Sequence, residues 1–180
     1  MPPKKQASAL PRILLDADVL SHFLKGERAG LLNAVFPNRL VILRDVMLEL
    51  ARVSRFDQPL EMLVKLSNIA VVEYSDDRQV VLEFDRLQMA GRGAGESACM
   101  AMARYHGDYI ASSNLRDIVD YCRTHSITYY TTLDILHFAI QDGLLTPAEC
   151  DAFLALLKKR NSRPGFDTYQ QYLAKGPRSR

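Results

Sequence analysis

The chain has no tryptophan and only three cysteines and four histidines among its 180 residues. Cys99, Cys122 and Cys150 are an odd number in unrelated contexts, and none has the Cys-x-x-Cys spacing of a zinc or redox site. They read as buried thiols of a reducing cytoplasm rather than as bridges. Long apolar runs are missing too. Nothing approaches the ~18–20 residues of a membrane span, so no membrane partner is expected. The opening Met-Pro-Pro-Lys-Lys-Gln is basic, but no apolar stretch of the ~7–15 residues typical of a signal peptide follows it. A cytoplasmic location is therefore expected. There is no internal repeat and no low-complexity tract.

What remains is ordinary for a globular protein: 48% hydrophobic and 24% charged residues, enough chain for one core. The domain is expected over residues 10–160, followed by a basic tail over 161–180. The net charge of +2 is unevenly spread. Lys158, Lys159, Arg160, Arg163, Lys175, Arg178 and Arg180 face a single acid, Asp167, from position 158 onward. Such a tail suits contact with phosphates, and equally suits a solvated terminus.

Short apolar runs alternate with longer helical stretches, the pattern of β-α units on a parallel sheet. Strands are expected at Arg12–Asp16, Leu40–Leu43, Ile69–Tyr74, Tyr109–Ser112 and Thr128–Tyr130. Between them helices are expected at Val19–Lys25, Arg28–Val35, Asp45–Val53, from Pro59 to Leu66, and from the Asp76/Asp77 cap to Ala90. Arg92-Gly-Ala-Gly95 then breaks the pattern. Further helices follow at Glu96–Tyr105, Leu115–His125, Leu133–Gln141 and Pro147–Lys159, the last capped by Thr146. No helix is expected beyond residue 160.

The acids are placed where this pattern gives them meaning. Asp16 directly follows an apolar strand, at the carboxyl end where open parallel sheets bind ligands. Buried without a partner it would be costly. Asp18 begins the next helix, where it is available as a cap or for function. Glu49 lies in Val46-Met-Leu-Glu-Leu-Ala51, an apolar helical stretch, one turn after Asp45 and within reach of Arg52. Glu96 leads an apolar helix from a glycine-rich loop, near the positive end of its dipole. Ser112, Asn114 and Asp117 follow the fourth strand, with Ser113 and Asn114 also suited to capping. Asp120 reads as solvent-facing. A parallel sheet would bring the acids to one edge, where their repulsion invites Mg²⁺ or Mn²⁺.

This order of motifs resembles the PIN-domain family, the fold of VapC-type toxin ribonucleases and related nucleases. Leu14-Leu-Asp-Ala-Asp-Val-Leu20 is similar to the family's opening motif, and Glu49 stands at its second acidic position. Gly95-Glu-Ser-Ala98 resembles the third, and Ile110-Ala-Ser-Ser-Asn-Leu-Arg-Asp117 falls where the fourth acid is found. The likeness runs over residues 12–140. It implies a three-layer α/β/α sandwich with a mainly parallel, five-stranded sheet. It also implies a metal-dependent endoribonuclease using Mg²⁺ or Mn²⁺, with Asp16, Glu96 and Asp117 on the metal and Glu49 assisting. Asp18, Ser112 and Asn114 would orient the acids or contact substrate. RNA, an antitoxin or other protein partner, and a second copy of the chain are the partners implied. Where many members carry Thr-Asp-Asp or Thr-x-Asp, this chain has Ser112-Ser113-Asn114. A catalytically degenerate RNA- or protein-binding module is the alternative. A haloacid-dehalogenase-like phosphatase fits less well. Its Asp-x-Asp start and Ser-Asn motif are present and Lys158 or Lys159 could serve, but no acidic pair follows.

Overall fold

The computed structural model describes residues 10–53 and 60–180. The basic start of the chain and the expected helix start at Pro59 lie outside those residues. Five strands, β1 (Ile13–Leu15), β2 (Leu40–Leu43), β3 (Ala70–Val72), β4 (Tyr109–Ala111) and β5 (Tyr129–Tyr130), form one sheet in the order β3-β2-β1-β4-β5. Every pairing is parallel, with Leu15 beside both Ile42 and Ala111. The helices are α1 (Ala17–Lys25), α2 (Ala29–Val35), α3 (Arg44–Val53), α4 (Leu60–Leu66), α5 (Arg78–Met89), α6 (Ala94–His106), α7 (Leu115–Thr124), α8 (Thr132–Gln141), α9 (Pro147–Lys159) and α10 (Tyr169–Lys175). They complete a three-layer α/β/α sandwich. None among the described residues is long and apolar enough to cross a membrane.

The strand sequences explain the layering. Ile13-Leu-Leu15 and Leu40-Val-Ile-Leu43 are buried throughout, as a parallel sheet covered on both faces requires. Each fully buried Leu or Ile contributes roughly 1.5–3 kcal/mol. α6 carries nine consecutive buried residues, Gly95–Ala103, and packs on β1, β2 and β4 as well as on α3, α5 and α7. Elsewhere Phe138 stands edge-on to Phe36 and Tyr130, at 82° and 89°.

The chain runs outward from β1 through β2 to β3, then returns to β4 on the opposite side of β1. The direction of winding therefore reverses between β1 and β4. In open parallel sheets wound this way, ligands bind in a crevice at the carboxyl ends of the two strands where the winding reverses.

Glu83 fastens three of the helices beside that crevice. Its carboxylate is buried on α5 and accepts from Arg86, from Arg104 of α6 at 3.0 Å and from the Tyr121 hydroxyl of α7 at 2.7 Å. Arg86 foremost, with Tyr121 and Arg104, holds its carboxyl down to about 2 against the opposing cost of burial.

The C-terminal segment corrects the sequence reading. α10 forms where no helix was expected, started by a capping box between Thr168 and Gln171. Its buried Tyr169 accepts or donates a 2.6 Å hydrogen bond with His137 Nδ1, and buried Tyr172 donates to Asp134 at 2.6 Å. The basic residues of this end are largely paired. Lys158 meets Asp167, Arg160 meets Glu27, and Arg180 meets Asp142. The Arg178 guanidinium lies 3.7 Å from the Tyr129 ring centre and donates to the Tyr129 carbonyl. These pairs lie at the surface, and Lys159, Arg163 and Lys175 have no ion pair among the described residues.

Candidate active site

β1 ends at Leu15, and the next residue, Asp16, is the N-cap of α1. It keeps the extended backbone of the strand while its carboxylate accepts the Ala17 N–H at 2.8 Å. The sequence reading offered that role to Asp18. The helix instead starts one residue after the strand, which puts Asp18 inside the first turn. There Asp18 accepts the Val19 N–H at 2.6 Å and, across the crevice, the Ser113 N–H at 2.7 Å. The latter bond joins the segment after β1 to the segment after β4.

Ser112 is fully buried. Its hydroxyl oxygen accepts the Asn114 N–H at 3.2 Å. Asn114 occupies the N-cap position of α7 but makes no side-chain cap; its amide donates to Asp117 instead. Ser113 likewise does not cap. Its hydroxyl donates to Thr132 Oγ1 at 3.0 Å, which is also 2.8 Å from buried His22 Nδ1, bracing the crevice from α8 and α1. Asp120 is exposed and pairs with Arg123, outside the group.

Glu49 reaches the same edge from α3. Its Oε2 accepts the Gly95 N–H at 3.0 Å, rather than pairing with Arg52. The glycines make this approach feasible. A Cβ at Gly95 would lie 2.8 Å from Glu49 Oε2 and 3.1 Å from Val46 Cα, and one at Gly93 would lie 3.3 Å from Glu49 Oε1. Only a residue without a side chain lets α6 begin this close to α3. α6 starts at Ala94, two residues earlier than expected, so Glu96 lies in its first turn.

Glu96 is buried and ion-pairs with Arg92, whose Nη1 is 2.7 Å from Glu96 Oε1. The same nitrogen donates to the Asp117 carbonyl at 2.6 Å and stands 4.0 Å from Asp117 Oδ1. The sequence reading used Arg92 only as part of a helix break. Its spacing from Glu96, one helical turn, is the signal that could have found it.

The titration behaviour reports the crowding. Burial raises Asp16 above the ordinary carboxylate range, and the charges of Glu49 and Asp117 push it the same way. Burial, then the Asp16 charge, raises Asp18. Burial also raises Glu96, opposed by Arg92 and assisted by Asp117 and Asp16. Asp45, one turn before Glu49, is raised by burial as well. Cys99, one turn into α6 from Glu96, is raised by burial and then by Asp16, Asp18, Glu49 and Asp45. All of these acids thus act at short range on one region.

The sequence reading gave a divalent cation to Asp16, Glu96 and Asp117; Asp16 and Glu96 are buried, while the Asp117 side chain is 40% exposed. Among the described residues no group of three or more His, Cys, Asp or Glu side chains is arranged to hold a metal ion. Each acid is instead bonded to the protein: Asp18 and Glu49 to backbone amides, Glu96 to Arg92. The lysines a phosphatase would need lie exposed at the end of α9, where Lys158 serves Asp167. No family model matches this chain, and no curated protein does so either.

Proposed function

We propose that the chain is a metal-dependent endoribonuclease of the PIN type, hydrolysing RNA phosphodiester bonds at this acidic crevice. The observation that supports the proposal is that acid-bearing turns of chain meet beyond the carboxyl ends of β1 and β4: Asp18 accepts the Ser113 N–H, Glu49 accepts the Gly95 N–H beside Glu96, and Arg92 joins Glu96 to Asp117. Asp16 and Glu96 are buried and Glu49 and Asp117 half-buried, and like charges gathered this way each raise the cost of ionising the next.

A Mg²⁺ or Mn²⁺ ion, if held there, would supply charge neutralisation for the phosphodiester and a more acidic water. Asp16, Glu96 and Asp117 would hold it. The Ala17 amide fixes the Asp16 carboxylate, and Asn114 orients Asp117. Glu49 has one oxygen bound to Gly95, leaving Oε1 to accept a proton from the attacking water. Asp18 holds the segment after β4 in register with α1.

The test is incubation of mixed single-stranded RNA with the protein in Mg²⁺, Mn²⁺ or EDTA, beside Asp16→Asn. Cleavage is expected only with metal and only by the parent protein. Intact RNA under every metal condition would overturn the proposal and bring the degenerate binding module forward.

A further inference from the structure

β5 stands at an edge of the sheet, paired with β4. Thr128 and Tyr130 turn their carbonyls toward β4, where they accept the Ile110 and Ser112 N–H at 3.1 and 2.9 Å. Backbone groups alternate sides along a strand, so the Tyr129 N–H and carbonyl point outward from the sheet. Outward groups of this kind are a template for a strand of another chain.

The segment after α10 lies over them. Gly176 ends that helix at a φ of +92°, a conformation that favours glycine, and the chain turns toward β5. Arg178 makes three contacts there. Its Nη1 donates to the outward Tyr129 carbonyl at 2.9 Å, its guanidinium lies 3.7 Å from the Tyr129 ring centre, and its Nε is 3.9 Å from the buried Asp134 carboxylate. Two positions on, Arg180 pairs with Asp142 at 2.7 Å and lies 5.1 Å and 5.5 Å from the Phe138 and Phe36 ring centres.

These contacts differ in kind from those of the helix before them. Buried Tyr169 and Tyr172 dock α10, whereas the Arg178 and Arg180 side chains are 37% and 38% exposed. Exposed ion pairs and cation–π contacts are individually weak, and salt screens the former.

We propose that residues 176–180 form a releasable strap over the β5 edge. Closed, it keeps a second copy of the chain from adding a strand there; open, it frees the Tyr129 groups while α10 stays docked. The second copy is the fitting occupant because every copy carries the same outward groups, and identical strands pair about a two-fold axis. The strap uses none of the acids assigned to the crevice, so it stands whether or not RNA is cut.

Two measurements on the full chain test it, comparing the parent with Arg178→Ala. Amide nitrogen relaxation by NMR reads the strap. Order parameters at 178–180 are expected near those of rigid backbone in the parent, about 0.85, and below about 0.6 in the variant, with Tyr169–Lys175 unchanged. Sedimentation velocity over a wide range of concentration reads the edge. Losing contacts of this strength raises the open fraction about tenfold, and self-association of Arg178→Ala should strengthen by the same factor. Adding Tyr129→Pro removes the outward N–H and leaves the bonds to β4, so the double variant should sediment like the parent. Should Arg178→Ala fold poorly, Asp142→Asn releases the strap from its far end and is read by the same two measurements.

A strap already mobile in the parent, or one whose release also loosens α10, would overturn the proposal. So would a variant that associates no more than the parent, or an association that Tyr129→Pro does not abolish.

Discussion

Removing the charge of Glu83 should loosen the frame on which Glu96 and Asp117 are mounted. Its carboxylate is 5% exposed and holds α5, α6 and α7 through Arg86, Arg104 and Tyr121. Titration at about 2 instead of 4.5 corresponds to ~3 kcal/mol of preference for the charged form in the folded protein. That figure needs a discount, because Arg86 is 58% exposed and Arg104 30%, so water screens much of the attraction. About 2 kcal/mol is the reasoned loss for Glu83→Gln at pH 7, which keeps the shape and loses the charge. For a chain of this size it lowers the melting temperature by roughly 4–8 °C.

The pH dependence gives the sharper test. A carboxyl whose folded value lies below its unfolded one adds stability that is present above pH 4.5 and is lost as pH falls toward 2. The parent should therefore lose its advantage over Glu83→Gln through that window, and the two stabilities should meet near pH 2. Denaturant unfolding, followed by circular dichroism at several pH values, measures the gap directly. Curves that run parallel down to pH 2, or a gap at pH 7 below about 0.5 kcal/mol, would refute the reasoning; surface substitutions do as much.

Asp16→Asn should make the metal-free protein more stable near pH 8, by ~1–3 kcal/mol, because asparagine still caps α1 but buries no charge and sets none beside Glu49 and Asp117. The Asp16 carboxyl is raised, so its penalty is absent at low pH and grows as pH rises; the gain should fade below about pH 4 in thermal melts. Mn²⁺ should then stabilise the parent and leave the variant unmoved. Gly95→Ala should cost ~1–3 kcal/mol in urea unfolding, since the added carbon meets Glu49 Oε2 at 2.8 Å and Val46 Cα at 3.1 Å. Gly93→Ala meets only the flexible end of Glu49, at 3.3 Å and beyond, and should cost less; equal effects would show that the α3–α6 approach is not the cause.

Where the chain's own pattern was strong, it was legible. Continuous apolar runs such as Leu40–Leu43, with long helical stretches between them, point to a parallel sheet covered on both faces, because alternating strand and helix puts helices over both sides. Asp77 and Thr146 were readable as caps from residue type and position. Boundaries were less so. β5 is confined to Tyr129–Tyr130 and α6 begins at Ala94, because hydrogen-bond partners rather than propensity decide where a ladder or helix ends. α10 was missed although Thr168 and Gln171 spelled a capping box. It has only seven residues, and Tyr169 and Tyr172 make it stable by docking beside His137 and Asp134.

The amino-acid order alone therefore determined the layered architecture and which acids stand at element ends, because both follow from local periodicity and chemistry. Tertiary structure alone decided how those acids are satisfied. That Glu49 leans on the Gly95 amide, that Asp18 reaches the segment after β4, and that Arg92 joins Glu96 to Asp117 depends on contacts spanning 46, 95 and 25 positions. No local pattern encodes such pairs; they exist only once the sheet has brought distant turns of chain to one edge.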